Sequence, residues 1–383
     1  MVMSSVVIMG IRGIPAQHGG FETFAEILSC HLIAQGWEVT VYCQESSQET
    51  AVTHDEWQCV KRVRIPIKQE GALGTVMFDW LSIQNLLKSS KPDVVLTLGY
   101  NTATFCIPYR FAGIRNIINM DGIEWKRDKW KWYERAWLWF NERAGCLIGT
   151  HLVADHPAIA DHLATRVSRR KITMIPYGAH EITSADAGHV TALGLQPGGY
   201  ITVIARAEPE NSILDIVRAF SGKRRGIKLV MLGKYQPDSN PFHREVMAAA
   251  SDEVLFPGAI YDRSIVEALR FYGRFYVHGH RVGGTNPSLV EALGAGSAVL
   301  AHDNRFNRWV AGDGACYFHD TASCAEAMDR LLADDAGIER MRAASRARFH
   351  QQFTWKDVLA QYERLLLDWL PETATKPVPR TGG

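Results

Sequence analysis

The sequence predicts an α/β fold in which two Rossmann-like, doubly wound domains face each other across a cleft. Strand and helix patterns alternate through the first 180 residues, and the alternation begins again at residue 200. A strand, a glycine-rich turn and a helix follow one another in both halves, near residues 6–34 and 275–294. A chain of 383 residues is also too long for one ordinary hydrophobic core.

These patterns divide the chain into five segments. The small, polar residues between the two halves are typical of a linker, and the last amphipathic helix is predicted to cross back to the first domain. The Pro- and Thr-rich end of the chain has the composition of a flexible tail. We predict an N-terminal domain at 1–180, a linker at 181–199, a C-terminal domain at 200–353, a crossover helix at 354–370 and a tail at 371–383.

Composition excludes several classes of protein. The formal net charge of +1 gives no general attraction to nucleic acid. The seven cysteines include no CxxC pair, which is typical of buried thiols in a reducing compartment. No basic signal-peptide region starts the chain, and no apolar run reaches the roughly 18 residues that a membrane helix needs. We therefore expect a cytoplasmic protein.

The first strand, at residues 6–9, leads into a loop that contains four glycines, and a helix and a strand at 38–43 follow. This order is typical of nucleotide-binding folds. The loop lacks the GxGxxG spacing of dinucleotide-binding dehydrogenases, so an NAD-dependent enzyme is not favoured. The loop is long enough to be a flap over a cleft, and the alternative is a plain surface loop.

Two later strands of the first half end in polar residues. An amphipathic helix at 76–90 precedes the strand at 94–98, and another strand is predicted at 116–120. Asp121 and Glu124 follow this last strand. Because open α/β sheets bind ligands at the carboxyl ends of their strands, these carboxylates are candidates for the acceptor side of a cleft. The alternative is that Asp121 and Gly122 only form a turn.

Residues 125–145 combine aromatic and basic side chains. The segment contains five of the eleven tryptophans together with six lysines and arginines. This composition fits a helix that lies on an anionic membrane surface, which would make the protein peripheral on the inner face of the cytoplasmic membrane. It equally fits a helix that packs on the core and exposes a basic face, and the periodicity does not decide between them. A strand at 146–150, a helix at 154–165 and a strand at 172–175 complete this half.

The second half offers two cations at strand ends. Arg206 follows the strand at 200–205, and Lys234 follows the strand at 227–232. A guanidinium can bind two phosphate oxygens at once, so Arg206 is the stronger candidate for a phosphate ligand. The alternative is that Arg206 forms a surface salt bridge.

The stretch at 276–301 is the most informative one. It predicts a short strand, a turn with Gly283 and Gly284, and a helix capped by Thr285 or Asn286 with proline in its first turn. A helix N-terminus attracts anions, and the paired glycines let a ligand approach the backbone. Glu291, one turn into the helix, could accept hydrogen bonds from hydroxyl groups. An anionic ligand that carries hydroxyls, such as a nucleotide sugar, fits this site, although many such turns bind nothing.

Two histidines, His278 and His280, stand at the end of the strand that precedes this turn. Neither has a Cys or His partner at the spacing of a zinc site, so no metal site is predicted. Their position beside the glycine turn instead favours contacts with a ligand.

Several motifs together resemble a known family. They are GIRGIPAQHGGFET at 10–23, DGIEWKRDKW at 121–130, IPYGA at 175–179, ARAEPEN at 205–211 and HGHRVGGTNPSLVEALG at 278–294. The chain resembles the GT-B fold glycosyltransferases of retaining family 4, and more narrowly their bacterial rhamnosyltransferase-like branch. The resemblance implies a hexosyltransferase that needs no metal and works in capsule, O-antigen or exopolysaccharide assembly. It implies a dTDP- or UDP-sugar donor, with dTDP-rhamnose favoured, no further cofactor, and a saccharide acceptor that is linked to a lipid such as undecaprenyl diphosphate.

The resemblance also carries roles to single residues. Glu291 matches the second glutamate of the family's E-x7-E motif and would bind ribose, whereas Gly283 stands where the first glutamate is expected. Arg206 matches the arginine that binds the diphosphate, but Asn211 replaces the usual lysine, for which Lys234 or Arg281 could compensate. The implied catalytic residues are Arg206, Glu291, Asp121 and Glu124.

The remaining implied contacts divide between donor and acceptor. The donor site would also include Gly13, Gly19, Gly20, Asn211, Lys234, His278, His280, Gly283, Gly284, Thr285, Asn286, Ser288 and Leu289. The acceptor would contact His18, Glu22, Asp121, Glu124 and Arg127. Because two of the family's charged residues are missing here, the alternative function is a non-catalytic GT-B scaffold that binds a polysaccharide or a partner enzyme.

Overall fold

The computed structural model describes residues 4–372 apart from positions 18, 48, 70 and 128, together with residues 374 and 376–378. The chain divides into two compact units. The first unit contains residues 1–176 and 356–383, and the second contains residues 177–355. The predicted contact of His18 lies outside the described residues, as does much of the predicted tail.

The first unit is built on an eight-stranded sheet with the strand order β3-β4-β2-β1-β5-β6-β7-β8. All neighbouring strands are parallel except β3 and β4, which form an antiparallel hairpin. The strands are β1 (Ser5–Met9), β2 (Glu38–Ser46), β3 (Thr53–Trp57), β4 (Val60–Ile67), β5 (Val94–Leu98), β6 (Arg115–Asn119), β7 (His151–Ala154) and β8 (Ile172–Met174). The sequence analysis did not identify the hairpin, because β3 is an exposed polar edge strand without apolar alternation.

The helices of the first unit connect these strands. They are α1 (Gly20–Ala34), α2 (Gly71–Lys88), α3 (Ile107–Phe111), α4 (Trp132–Ile148) and α5 (Pro157–Ala164). The strand predicted at 146–150 is wrong, because residues 146–148 form the last turn of α4. Leu138, Asn141, Gly145 and Cys146 are all buried at helical spacing, so the short apolar run continues the inner face of the helix.

The second unit has a six-stranded parallel sheet with the strand order β11-β10-β9-β12-β13-β14. Its strands are β9 (Tyr200–Ile204), β10 (Lys228–Leu232), β11 (Val254–Gly258), β12 (Tyr276–His278), β13 (Val299–His302) and β14 (Cys316–Phe318). Its helices are α6 (Gly188–Thr191), α7 (Ile213–Ser221), α8 (Pro241–Ala248), α9 (Arg263–Tyr272), α10 (Pro287–Gly294), α11 (Arg305–Ala311), α12 (Thr321–Ala333) and α13 (Asp335–Gln352). Buried aliphatic and aromatic residues of the strands pack against α7 and α12 and form the core.

The last helix, α14 (Trp355–Asp368), returns the chain to the first unit, as predicted. Val358, Tyr362 and Leu366 are buried at a spacing of four residues. The Tyr362 ring packs on Phe24 of α1 with 4.6 Å between ring centroids, and its hydroxyl accepts a hydrogen bond of 2.8 Å from Asn119. Within the described part of the chain, no helix has the length and apolar character needed to cross a membrane.

Candidate active site

The strand order of the second unit reverses between β9 and β12, which lie side by side at the centre of the sheet. β9 is followed by α7 and the adjacent β10, whereas β12 continues the sheet in the opposite direction. In open parallel sheets, ligands bind outside the carboxyl ends of the strands at such a switch point. The residues that follow β9 and β12 are therefore the first candidates for a site.

Arg206 and Lys234 extend from this edge of the sheet. Arg206 lies two residues beyond β9 and Lys234 two residues beyond β10, and both side chains are exposed. Among the described residues, neither side chain has an ion-pair or hydrogen-bond partner. The predicted alternative for Arg206, a surface salt bridge, is therefore not observed. An unpaired guanidinium at a strand end is free to bind phosphate oxygens.

Asn211 holds the loop that carries Arg206. Its side-chain amide donates a 2.9 Å hydrogen bond to the carbonyl oxygen of Arg206, and the residue is only 1 % exposed. The amide N–H of Glu208 donates to the same carbonyl at 2.7 Å. Asn211 therefore fixes the backbone beneath the arginine, and this is its observed contribution to the predicted donor site.

Arg281 is less available than the sequence suggested. Its guanidinium donates a 2.8 Å hydrogen bond to the Ser212 hydroxyl and forms an ion pair with Asp215. Its backbone N–H donates to the carbonyl oxygen of Glu210 at 3.0 Å. Because Asp215 neutralises this charge, Lys234 is the better candidate to replace the missing lysine.

Gly279 allows the end of β12 to pack against the arginine loop. A side chain at this position would overlap the carbonyl oxygen of Asn211 and approach the Ile216 side chain to 2.7 Å. We expect Gly279→Ala to lower the free energy of unfolding by about 1–3 kcal/mol, because the loop has to move. Denaturant unfolding tests this, with Gly222→Ala as the control, since a side chain there meets its nearest atom at 3.5 Å. Equal stability of the two variants would contradict the close contact.

The predicted N-terminus of α10 is observed, with Asn286 as the cap. The Asn286 side chain accepts a 3.1 Å hydrogen bond from the N–H of Ser288, and the Asn286 carbonyl accepts from the N–H groups of Leu289 and Val290. These first-turn amides are therefore occupied. An anion at this end would instead meet the helix dipole and the backbone of the preceding glycine turn. Gly283 has φ +137° and open space around it, so its backbone conformation is what requires glycine.

Arg270 of α9 orients Glu291, and the sequence analysis missed it. The Arg270 guanidinium donates to the Glu291 carboxylate at 2.5 Å and to the Ser288 hydroxyl at 3.4 Å. The Ser288 hydroxyl also contacts the Tyr276 hydroxyl at 2.8 Å. The Arg270 side chain is 6 % exposed, whereas that of Glu291 is 37 % exposed. The buried Arg270 thus fixes the position of Glu291, whose exposed side can still contact a ligand. The only sequence signal was an arginine on the inner face of an amphipathic helix.

The two histidines beside this turn stack on each other. The His278 and His280 rings are parallel within 8°, with 4.2 Å between their centroids. His278 is fully buried, and burial, reinforced by His280 and His302, holds its pKa well below the usual value. His278 is therefore neutral at physiological pH. The side-chain amides of Asn304 and Asn307 donate to the His280 carbonyl at 2.9 and 2.8 Å, which fixes this corner of the site.

In the first unit, Asp121 is the most unusual of the predicted acceptor residues. It follows β6 in the left-handed region, with φ 48°, a conformation that costs free energy for a residue other than glycine. Burial, and then the neighbouring charge of Glu124, raises its pKa to about 6. Its N–H donates a 3.0 Å hydrogen bond to the Asn119 side chain. Strained, partly buried carboxyls with a shifted pKa are found preferentially at functional sites.

The other predicted acceptor residues have structural partners. Glu124 forms an ion pair with Arg127 at 2.7 Å, and its N–H donates to the Tyr100 hydroxyl at 2.9 Å. Glu22 is 6 % exposed and accepts a 3.1 Å hydrogen bond from the N–H of Gln17, so it holds the glycine-rich loop. These contacts order the segments around the site. Of the two carboxylates that follow β6, Glu124 is the one that is held in ion pairs.

The three glycines predicted on this loop have different surroundings. Gly13 has φ +139°, and a side chain there would approach Cys43 to 2.9 Å. Gly19 caps α1 in an extended conformation, and Gly20 is the first residue of that helix. The backbone conformation and close packing at position 13 therefore require glycine there. At Gly19, by contrast, a side chain would meet only open space.

The first unit also contains a cavity that the sequence did not predict. It has a volume of about 480 Å³ and lies between α2 and α4, at the carboxyl ends of β1 and β5. The strand order reverses between β1 and β5 as well, so this is the switch point of the first sheet. Asp79 of α2 lines the cavity. Among the described residues, no cluster of three His, Cys, Asp or Glu side chains is placed to hold a metal ion.

Comparison with solved structures identifies the architecture. Sucrose-phosphate synthase from Thermosynechococcus elongatus matches with a TM-score of 0.79 and 16 % identity, over 95 % of this chain and 98 % of that chain. Anabaena HepE, solved in complex with UDP and glucose, matches with a TM-score of 0.74 and 12 % identity, over 96 % of this chain and 100 % of that one. The chain has the GT-B fold. An α,α-trehalose-phosphate synthase (UDP-forming) from Burkholderia xenovorans matches this GT-B chain with a TM-score of 0.71 and 13 % identity, over 96 % of this chain and 100 % of that one.

Two family models match the GT-B chain, one in each half. Residues 223–364 match the family described as glycosyl transferase-like. Residues 3–180 match the family described as a domain of unknown function, DUF1972. No curated protein matches the sequence significantly. The second unit is therefore the one with a recognised link to glycosyl transfer.

Proposed function

We propose that the chain is a retaining glycosyltransferase that moves a sugar from a nucleoside diphosphate donor to a saccharide acceptor. The observation that carries the proposal is the unpaired guanidinium of Arg206 at the β9–β12 switch point, on the same sheet edge as the N-terminus of α10. The glycosyl transferase-like family match covers much of this unit. Several proteins of similar fold were solved with UDP or a UDP-sugar, and this supports a nucleotide donor.

The main catalytic requirement of the reaction is stabilisation of the leaving group. Breaking the anomeric C–O bond leaves negative charge on the β-phosphate, and fixed positive groups lower that barrier. Arg206, Lys234 and the dipole of α10 would supply them. The leaving phosphate oxygen can itself accept the proton of the acceptor hydroxyl, so no separate base is required, and the new bond forms on the face that the phosphate leaves.

The remaining donor contacts follow from the same edge of the sheet. Glu291, anchored by Arg270, would accept hydrogen bonds from the ribose hydroxyls. His280 would face the sugar, with the buried, neutral His278 stacked behind it, at the place where the family's first glutamate is replaced by Gly283. We favour dTDP-rhamnose as the donor, with a UDP-sugar as the alternative.

A nucleotide screen tests the proposal. Thermal shifts with UDP, GDP, dTDP and their sugars should identify one nucleotide, and incubation of its sugar with lipid-linked saccharides should give a glycosylated product with retained anomeric configuration. We place this reaction in bacterial surface polysaccharide assembly, with an acceptor such as an undecaprenyl-diphosphate-linked saccharide. The absence of a shift with every nucleotide would refute the proposal.

One other function is supported by specific residues. Gly283 and Asn211 replace charged residues that the family uses at the donor site, and this favours a non-catalytic scaffold that binds a polysaccharide or a partner enzyme. The two functions predict different results with nucleotide sugars. A scaffold would give neither hydrolysis nor transfer with any nucleotide sugar, even if it bound one.

We further propose peripheral membrane contact through an exposed surface on α2, α3 and α4. Eleven of the fifteen large hydrophobic side chains that are exposed in the described part of the chain lie on these three helices. The aromatic face, as we name it, consists of Trp80, Ile107, Phe111, Trp132, Trp137, Trp139, Phe140 and Leu147. Exposed patches of this kind mark interaction sites.

Contacts between side chains connect this aromatic face and place positive charge beside it. The Phe105 ring lies between Trp80 and Trp137, at centroid distances of 5.3 and 6.3 Å. The Arg143 guanidinium stacks on Trp139 at 3.4 Å. The exposed side chains of Lys126, Lys131 and Arg135 lie in or just before α4. Aromatic and basic groups together favour an anionic bilayer over a neutral one.

The double variant Phe111→Ser, Trp132→Ala should bind anionic vesicles at least about tenfold more weakly than the natural protein, because these side chains are 88 % and 81 % exposed and would insert between lipids. Flotation with vesicles of phosphatidylglycerol and phosphatidylcholine measures this. Tyr261→Ala is the control, since Tyr261 is 83 % exposed but lies in the second unit. Unchanged flotation of the double variant would rule out this surface.

A further inference from the structure

Glu142 of α4 is a buried acidic residue that the proposed reaction does not use. Its side chain is 1 % exposed. One carboxylate oxygen accepts hydrogen bonds from the Trp125 indole N–H at 2.8 Å and from Nε2 of His162 at 2.9 Å, and the other oxygen lies 2.8 Å from Nε of Arg166. Burial alone would raise the pKa of Glu142, but the hydrogen bonds from His162 and Trp125 and the charge of Arg166 hold this pKa below its usual value. The carboxylate is therefore ionised at neutral pH.

Stability alone does not explain a buried charge at this place. Well-packed apolar residues are often as stable as a buried ion pair, because taking charges out of water is costly. Charge-assisted hydrogen bonds, however, fix the direction and the distance of the groups that make them. Here they join three separate segments, since Trp125 follows β6, Glu142 lies on α4 and His162 lies on α5. The network therefore fixes the position of the segment that follows β6.

Helix α4 binds Trp125 at both its side chain and its backbone. Glu142 accepts from the indole N–H, and Nε of Arg135 donates a 3.1 Å hydrogen bond to the Trp125 carbonyl oxygen. One residue earlier, the N–H of Glu124 donates to the Tyr100 hydroxyl at 2.9 Å. Residues 124 and 125 are thus fixed together, as part of the short 3₁₀ turn Glu124–Lys126.

Asp121 lies four residues before Trp125, and its backbone is in the left-handed region, with φ 48°. A residue other than glycine stays in this region only where its surroundings hold it there. On the side of β6, the Asp121 N–H donates to the Asn119 side chain at 3.0 Å. On the other side, the chain is held at Glu124 and Trp125. Release of the Trp125 indole would therefore loosen the turn that orients Asp121.

We propose that Glu142 is a positioning residue for the acceptor side of the site. Acting through the Trp125 indole, it holds residues 121–127 and thereby keeps the Asp121 carboxylate oriented towards the acceptor hydroxyl. Glu142 itself touches no substrate. This inference rests on the proposed glycosyl transfer and adds to it a residue that lies outside the family motifs.

Two substitutions each remove one donor from the same Glu142 oxygen. Trp125→Phe keeps an aromatic ring and removes the indole N–H of the 121–127 segment, whereas His162→Leu removes a donor that lies on α5. We expect the backbone amides of residues 121–127 to exchange with deuterium about fivefold faster in Trp125→Phe, and within about twofold of the natural rate in His162→Leu. Mass spectrometry of peptides from the whole protein measures the exchange. Glu142→Gln should accelerate the exchange as well, because an amide offers only one acceptor oxygen.

The kinetics of sugar transfer show whether this position matters to the reaction. Trp125→Phe should lower kcat about tenfold and leave the donor KM within about twofold, since the proposed donor contacts lie in the second unit. His162→Leu should keep kcat within about threefold of the natural value. In a protein that also carries Asp121→Ala, Trp125→Phe should lower kcat by less than about twofold, because its effect is lost with the carboxylate through which it acts. Thermal unfolding sets an assay temperature at which all variants are folded.

The inference is overturned if Trp125→Phe leaves the exchange of residues 121–127 unchanged, or if His162→Leu accelerates that exchange and lowers kcat to the same extent. It is also overturned if Trp125→Phe lowers kcat as much with Asp121→Ala as without it, since a general loss of structure would give that result. Absence of transfer by the natural protein with every nucleotide sugar would refute the proposed function instead. The exchange measurement needs no substrate, so it tests the hydrogen bond between Glu142 and Trp125 separately.

Discussion

Arg206→Ala should lower kcat/KM for sugar transfer about a hundredfold to a thousandfold. The guanidinium has no partner in the described part of the chain, so its removal breaks no structural contact and leaves the fold unchanged. It would remove a fixed positive group from the leaving diphosphate, and single groups of this kind contribute about 3–4 kcal/mol to transition-state stabilisation. Initial rates with varied donor concentration measure the effect.

Two variants serve as comparisons for Arg206→Ala. Glu291→Gln should lower kcat/KM by only about threefold to tenfold, because an amide oxygen can still accept one ribose hydrogen bond. Arg218→Ala is the control, since Arg218 is exposed and paired with Glu245 at 2.8 Å on the outside of α7. If Arg206→Ala retained activity within about threefold of the natural protein, the donor site would lie elsewhere.

Asp79→Asn should make the protein more stable at pH 7.5. Burial raises the pKa of Asp79 from 3.8 to about 6, so the folded protein holds this proton to a higher pH than the unfolded chain does. Stability therefore falls as the pH rises from about 4 to about 6. This difference in pKa corresponds to at most about 3 kcal/mol above pH 6. A weaker hydrogen bond from Thr102 to the amide oxygen offsets part of it. We expect a net gain of about 1–2 kcal/mol.

Denaturant unfolding at several pH values tests this expectation. The gain from Asp79→Asn should shrink towards pH 4, where both states hold the proton. Cys106 and Tyr109 interact electrostatically with Asp79, and Glu134 is the other carboxylate that lines the same cavity. Glu134→Gln in the same assay separates this carboxylate from Asp79. A variant Asp79→Asn that is less stable at pH 7.5 would show that the carboxylate stabilises the folded state and would contradict the expectation.

The second unit was the part that could best be predicted from sequence. Its strands are short apolar runs that end in glycine, proline or charged residues, and such runs are the strongest local signal for a parallel sheet. Arg206 and the N-terminus of α10 were found because the relevant residues follow strand ends directly. Arg270 was missed because its partner Glu291 lies 21 residues away on another helix, and no local pattern encodes that pairing.

The first unit shows two limits of the same reasoning. Asp79 sits within a helix pattern, where a single aspartate indicates a solvated face, and only the folded chain brings it into a cavity beside Thr102. For α4, the sequence left membrane contact and core packing as alternatives. In the structure, one side of the helix is buried and the other is exposed. Leu138 and Cys146 are buried, whereas Trp132 and Phe140 are 81 % and 54 % exposed. Periodicity could not separate them because the buried side of α4 includes the polar residues Asn141 and Glu142, whereas all five aromatic residues of the helix are exposed.

The central claim is that the second unit binds the donor's diphosphate at the carboxyl ends of β9 and β12. A crystal structure of the protein with the nucleoside diphosphate that gives the largest thermal shift measures this directly. We predict phosphate oxygens within hydrogen-bonding distance of the Arg206 guanidinium and beside the turn formed by Gly283 and Gly284, with the ribose at Glu291. A nucleotide bound away from Arg206 and from this turn would contradict the account.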